Sequence, residues 1–298
     1  MKKSITVIIP YRGIGDVLFH YQFLHSIYKH HKKKIFLIAQ KSTKANLLFK
    51  NNKIFEKIVL LDLTRPSKLG YFLKILKIIK KLSIYDFKII YYTGNHNWQK
   101  IILQILNFFK NFELIYFPVK KYHIIDHLKD FQKKINIKNN VNIKLKISSK
   151  FKNSFNDKLK KYKKPWAFMS IDTAEDQIQI PEKYLNIIFL NLMKKYRTIF
   201  INTSKKNKKK LKSINTKRAV PTFNYNILEI NYLIQKSKIF VGNDSGPANL
   251  SSLINHKSVI FLSNNVKGDI KRIKHSGKRI YIRIENIKKT IKKILNFF

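Results

Sequence analysis

Two short segments hold the residues best suited to chemistry. The first, Pro10-Tyr11-Arg12-Gly13-Ile14-Gly15-Asp16, lies between the apolar run Ile5–Ile9 and a helical pattern. Gly13 and Gly15 permit a tight turn and close backbone approach, and a carboxylate at a helix start can serve as general base on an acceptor hydroxyl. A dinucleotide fingerprint would need a third glycine in register, and an acid there repels a pyrophosphate. Asp16 reads equally as a helix cap, the commoner role for such a residue, and the segment alone leaves both open. In the second segment, Phe240-Val241-Gly242-Asn243-Asp244-Ser245-Gly246-Pro247, an apolar strand runs into a helix that opens on a proline. The amides of Ser245 and Gly246 at that helix start suit phosphate oxygens, and Asp244 suits sugar hydroxyls. An ordinary serine cap with a glycine turn fits the same spacing.

Both segments must be held by strand-to-helix junctions, and the apolar pattern supplies them. Strand-length apolar runs alternate with amphipathic helical stretches along the chain, the signature of parallel α/β architecture. Strands are expected at 5–10, 34–39, 57–61, 88–92 and 112–116, with helices at 16–30, 41–49, 68–82 and 98–109. Between about Asp126 and Tyr162 the sequence turns polar and rich in lysine and asparagine, which places the passage between domains there. A second series follows, with strands at 166–171, 198–202, 238–241, 258–262 and 279–284 and helices at 181–195, 228–237, 247–255 and 287–297. The expected organisation is one Rossmann-like domain over 1–150 and a second over 151–298, with the last helix packing back on the first. Tandem wound units imply a ligand cleft between them.

Composition narrows the class. A chain of 298 residues with 44% apolar content can bury a sizeable core. It has no cysteine, which excludes disulfides, thiolate zinc sites and a cysteine nucleophile and agrees with a reducing compartment. No run of about 20 uncharged apolar residues is present to span a bilayer. The formal charge of +46 is spread over helices and loops alike, as lysine-biased coding gives, so nucleic acid is not an expected partner. A positive field still favours phosphorylated substrates and anionic lipid headgroups.

The run Ile227-Leu228-Glu229-Ile230, Leu233-Ile234, Val241 to Pro247, Leu250 and Val259-Ile260-Phe261-Leu262 resembles the donor-binding region of glycosyltransferase family 9, the ADP-heptose:lipopolysaccharide heptosyltransferases. Arg12-Gly13-Ile14-Gly15-Asp16-Val17-Leu18 is similar to that family's N-terminal motif, and Ile180-Pro181-Glu182 to the segment opening its second domain. The resemblance implies a GT-B fold, two Rossmann-like domains facing across a cleft, and an inverting transfer without metal or cofactor. It implies a nucleotide-sugar donor such as ADP-heptose, bound by a nucleotide-sugar-binding domain over 151–298, and an anionic glycolipid acceptor, bound by an acceptor-binding domain over 1–150. The setting is cytoplasmic, with peripheral contact on the inner membrane face. Asp16 would be the catalytic base; Arg12, Gly13, Gly15 and His96 would lie on the acceptor side. Thr173, Asp244, Ser245, Gly246, Pro247, Asn249 and Lys205 would hold the donor.

Three positions depart from the family pattern. Asn249 stands where a histidine is common, Ile178 where a phosphate-binding lysine is expected, and Thr203-Ser204-Lys205 where glycine and an acid are common. Lys205 or Lys206 can partly neutralise a diphosphate instead. These departures keep a second reading open, a nucleotide-sugar-binding protein without transfer activity; a basic nucleic-acid or membrane-surface binder is a third. The run Lys205 to Lys210 fits a solvated helix face better than a nucleic-acid patch. His20 and His25 are off the spacing of helical metal ligands, so no metal site is expected. Phe108-Phe109 and the face around Phe72, Ile75, Ile78 and Ile79 suit either core packing or membrane contact.

Overall fold

The computed structural model describes residues 3–50, 52–64, 70–94, 96–116, 124–138, 147–172, 180–203, 211, 218–253, 256–262 and 279–298. The chain divides into two compact units, Met1–Ile143 and Lys144–Phe298.

The first unit contains strands β1 (Ser4–Ile9), β2 (Ile35–Gln40), β3 (Phe55–Leu61), β4 (Phe87–Tyr92) and β5 (Glu113–Tyr116). They form one sheet in the order β3-β2-β1-β4-β5, with every pairing parallel. Its helices are α1 (Ile14–Phe19), α2 (Tyr21–His31), α3 (Ala45–Leu48), α4 (Tyr71–Leu82), α5 (Asn97–Lys110) and α6 (Ile124–Lys134). All six residues of β2 are buried, which is why these strands read as continuous apolar runs: helices cover both faces. Side-chain alternation divides the core. Ile8, Phe36, Ile38, Ile90 and Tyr92 point toward α4 and α5, where Ile75, Ile78, Ile102 and Leu106 meet them. On the other face Phe23 of α2 stacks on Phe131 of α6 at 5.4 Å and meets Tyr91 of β4 edge-on at 6.4 Å.

The second unit contains β6 (Trp166–Ser170), β7 (Thr198–Asn202), β8 (Ala219–Pro221), β9 (Ile239–Asn243), β10 (Ser258–Leu262) and β11 (Arg279–Arg283). Their order is β11-β10-β9-β6-β7-β8, again all parallel. The helices are α7 (Ser149–Leu159), α8 (Glu182–Lys195), α9 (Ile227–Lys236), α10 (Gly246–Leu253) and α11 (Ile287–Phe297). Ala167, Met169, Ile199, Val241 and Phe261 face α8 and α11, and Ile287, Ile294 and Phe298 put the closing helix into this unit's own core. On the opposite face Phe168 stacks on Phe240 at 6.0 Å, and Phe155 of α7 packs against Tyr232 of α9.

Four readings differ from the sequence expectation, the first being the helix expected over 41–49, which is a 3₁₀ turn at Lys41–Thr43 and the four-residue α3. The helix expected over 16–30 is two, α1 and α2, joined at His20, whose ring Nδ1 bonds the Asp16 carbonyl at 2.6 Å alongside its own backbone N–H. The polar stretch 126–162 holds α6 and α7. Each buries only a narrow stripe, Leu128 and Phe131 in one and Phe155 and Leu159 in the other, so lysine and asparagine outweigh the apolar period. Strand β8 was not expected; three residues ending in Pro221 at a sheet edge carry almost no pattern.

Candidate functional site

In each sheet the strand order reverses once, between β1 and β4 in the first unit and between β6 and β9 in the second. Ligands of open α/β sheets collect at the carboxyl ends of such strands, because the connections leave in opposite directions and open a crevice. Both candidate segments lie at these two points.

In the first unit Asp16 occupies the first turn of α1, and its Oδ2 accepts a hydrogen bond from the Gly13 N–H at 3.0 Å. Gly13 has no side chain to return the bond, so the carboxylate alone caps the turn. Burial raises the Asp16 pKa above the ordinary carboxylate value, and the Gly13 bond only partly opposes it. A more basic carboxylate beside the loop is what a proton acceptor requires. Burial and the Asp16 charge push the Tyr11 phenol up to about 12, so it stays a hydrogen-bonding group; its Oη donates to the Thr93 carbonyl at 2.9 Å.

His20 lies directly beneath and is fully buried. Its Nδ1 faces the Asp16 carbonyl, which can only accept, so the proton sits on Nδ1. Its Nε2 lies 2.9 Å from Thr93 Oγ1, which also reaches the Ile8 carbonyl at 3.0 Å. Burial drives the His20 pKa down to about 4, keeping the ring neutral, so the single Thr93 hydroxyl proton is divided between the Ile8 carbonyl and Nε2. Both ring nitrogens therefore serve the frame under Asp16. Gly94 lets the loop after β4 close on the loop after β1: a Cβ there would stand 2.4 Å from Pro10 Cγ.

Of the other acceptor-side residues, Arg12 and Gly13 are exposed and Gly15 is buried within α1. The Arg12 carbonyl accepts from Ser42 Oγ at 2.8 Å. His96 is the exposed residue preceding α5, and its N–H donates to Tyr92 Oη at 3.2 Å.

In the second unit β9 runs tightly against β6. A Cβ at Gly242 would meet the Ser170 carbonyl oxygen at 2.5 Å, so glycine is what allows the strands to close here. Asn243 then clamps the strand ends, its Nδ2 donating to the Ile171 carbonyl at 2.9 Å. Since that partner accepts only, the Asn243 amide orientation is settled, and its buried Oδ1 has no partner among the described residues. The Asp244 N–H donates to the Phe261 carbonyl at 2.9 Å, and Ser245 Oγ to the Asn243 carbonyl at 3.1 Å. These bonds hold the turn so that α10 starts at Gly246, with the amides of Ser245 and Gly246 ahead of the intrahelical ladder. Pro247 has no N–H to lose there. Burial raises the Asp244 pKa, and the Asp244 charge adds to the burial that raises the Tyr281 phenol. Asn249 is buried in α10, and its Oδ1 also lacks a partner among the described residues.

Thus Asp244, Ser245, Gly246, Pro247 and Asn249 come together on one turn, and Asp16, Arg12, Gly13 and Gly15 on another. Thr173, Ile178, Lys205 and Lys206 lie outside the described residues. Sequence reasoning missed Tyr11, His20 and Thr93 as the frame of Asp16. It also missed Ser170, Asp172 and Asn202, which with Thr203 rim the ends of β6 and β7: Asn202 Nδ2 donates to Ser170 Oγ at 3.2 Å and Thr203 Oγ1 to Asp172 Oδ1 at 3.1 Å. The signal available for these was position alone, at the carboxyl ends of expected strands.

No protein-family model matches the sequence, and no curated protein does. Solved structures match over nearly the whole chain. The crystal structure of the glycosyl transferase family 9 from Veillonella parvula DSM 2008 superposes with a TM-score of 0.74 at 12% identity, covering 99% of this chain and 93% of that one. The E. coli ADP-heptose lps heptosyltransferase II gives 0.71 at 11% identity, covering 98% of each chain. The E. coli heptosyltransferase WaaC with ADP gives 0.70 at 12% identity, covering 97% of this chain and 99% of that one. This chain therefore has the GT-B-type fold of those glycosyl- and heptosyltransferase structures, two doubly wound parallel α/β units in tandem.

Proposed function

We propose that this chain is an inverting, metal-independent glycosyltransferase that moves a sugar, heptose or a relative, from a nucleoside diphosphate donor to a lipopolysaccharide or other surface-glycan acceptor. The observation that carries the reading is the placement of a basic carboxylate at the switch point of one sheet and an amide-rich helix start at that of the other. The fold shared with three transferase structures supports it.

In this reading the first unit binds the acceptor and the second the donor. Asp16 takes the proton of the acceptor hydroxyl as its oxygen bonds the anomeric carbon from the face opposite the leaving group. The bond from that carbon to the phosphate oxygen breaks, and the nucleoside diphosphate leaves with the electron pair. Its charge is stabilised at the start of α10 by the Ser245 and Gly246 amides and the helix dipole, with Thr173 and Lys205 as further donors. Asp244 orients the sugar hydroxyls. Asn243 Oδ1 and Asn249 Oδ1 supply acceptors for ligand hydroxyl or amino groups. The raised Asp16 pKa suits a base, and among the described residues no helix is long and apolar enough to cross a membrane.

The Gly13 bond to Asp16 favours a second reading, a nucleotide-sugar binder in which Asp16 only caps α1. Thermal shift with ADP-, GDP-, UDP- and dTDP-sugars finds the donor, since a ligand at about 100 times its Kd adds about 2.7 kcal/mol of stability. Labelled transfer to lipid acceptor is then measured for the wild type and Asp16→Asn. Transfer by the wild type, lost in a variant that still binds donor, is expected. Donor binding without any product supports the second reading, and unchanged turnover in the variant removes Asp16 as base.

A further inference from the structure

We propose that the outer face of the α4–α5 layer is a membrane-docking surface that seats the first unit on an anionic lipid leaflet. The inference deepens the acceptor half of the transferase reading, yet it rests on the surface alone, so the two can fail separately.

Helices α4 and α5 pack against each other on one face of the first sheet, burying Ile75, Ile78 and Leu82 from one and Ile102, Leu103 and Leu106 from the other. Their remaining apolar residues are not needed for that core. Phe72 is 68% exposed, Leu73 71%, Phe108 86% and Phe109 73%, with Leu76 and Ile101 exposed beside them. Helical periodicity sorts these residues by flank. Leu73, Lys74, Lys77 and Lys81 line, with Lys41 and Leu61, a depression of about 560 Å³ on the β3 side of α4, which leaves Phe72 and Leu76 on the flank toward α5. On α5, Lys100 lies over the Tyr116 ring of β5 at 4.5 Å, which turns Ile101 and Phe108 outward and toward α4. The two apolar flanks therefore adjoin and form one patch across the helix pair. Exposed patches of this kind mark interaction sites rather than chance.

Charge selects the occupant. Neither helix contains an aspartate or glutamate, while together they carry Lys74, Lys77, Lys80, Lys81, Lys100 and Lys110. Two nearby acids are already engaged, Asp62 with Lys74 at 2.7 Å and Asp86 with Lys110 at 3.4 Å, and Glu113 of β5 is exposed. Lys77, Lys80 and Lys81 have no acidic partner among the described residues. A second copy of this chain would bring two such lysine borders together at a net charge of +46 each, which is repulsive. Aromatic and aliphatic residues flanked by lysines, with no acid on either helix, instead match the acyl boundary and anionic headgroups of a leaflet, the lysine stems lying along the apolar surface and their ammonium groups reaching phosphate.

A protein this basic adheres to any anionic surface, so the test holds charge constant. The full chain is sedimented with phosphatidylcholine vesicles containing phosphatidylglycerol, in salt concentrated enough to screen scattered charge. A Phe72→Ser/Leu76→Ser/Phe108→Ser variant should partition about tenfold more weakly or worse, because three inserting side chains are removed and no charge changes. An Ile187→Ser/Leu190→Ser variant on exposed positions of α8 should partition like the wild type. Circular dichroism and thermal melting verify that both variants are folded, and transfer to a water-soluble acceptor fragment should be unchanged in both. Equal partition of the triple variant and the wild type overturns the proposal. So does a wild-type dimer, seen by light scattering, that the triple substitution dissolves while leaving vesicle binding intact.

Discussion

Acidification should strip stability from this protein through His20, by an amount that can be worked out. The ring is fully buried and neutral, its pKa lowered by burial from an ordinary 6.5 to about 4. Between those values the unfolded chain binds a proton that the folded chain refuses. Stability is therefore complete above about pH 6.5, falls with pH below it, and levels off below about pH 4. Integrating the linkage gives a loss of about 2 kcal/mol at about pH 5 and about 3 kcal/mol at about pH 4. Other groups titrate in the same range. His31 and His127 are lowered by burial and push the same way, whereas Asp16 and Asp244 are raised and stabilise the fold as pH falls. The His20→Asn variant separates them: its amide can still donate to the Asp16 carbonyl but does not titrate. Urea unfolding of both proteins between about pH 7.5 and about pH 4 yields the difference in stability at each pH. That difference should shift against the wild type by about 2 to 3 kcal/mol across the range. A flat difference would refute the neutral, buried ring and with it the account of how Asp16 is framed.

Three further outcomes follow from the same structure. Gly242→Ala places a Cβ 2.5 Å from the Ser170 carbonyl oxygen and should cost about 1–3 kcal/mol in chemical denaturation, with weakened donor binding because the turn bearing Ser245 shifts with β9. Asn226 caps α9, its Oδ1 accepting from the Leu228 and Glu229 amides at 2.9 and 3.1 Å, so Asn226→Ala should lower stability by about 1 kcal/mol and leave donor binding unchanged in a thermal-shift titration. The acid limb of kcat/KM for transfer should have its midpoint above the ordinary carboxylate value of 3.8, because the free enzyme must lose the Asp16 proton and burial raises that pKa. A limb at or below 3.8 would assign the base elsewhere.

Much of this molecule is written in local pattern. The buried strands are legible because parallel strands covered on both faces need nearly unbroken apolar runs, and β1, β2, β6 and β10 have them. The two turns that carry Asp16 and Ser245 are legible because glycine, acid and proline at a strand-to-helix junction have few other uses. What only the tertiary structure decided is long-range. That Thr93 stands under His20 and Tyr11 depends on β4 pairing beside β1 across sequence separations of 73 and 82, and no local period records that pairing. Likewise, Phe72 and Phe108 share the helical spacing of core residues. Whether such a residue turns inward is set by which flank of its helix meets the sheet, a matter of packing between elements rather than of sequence within one.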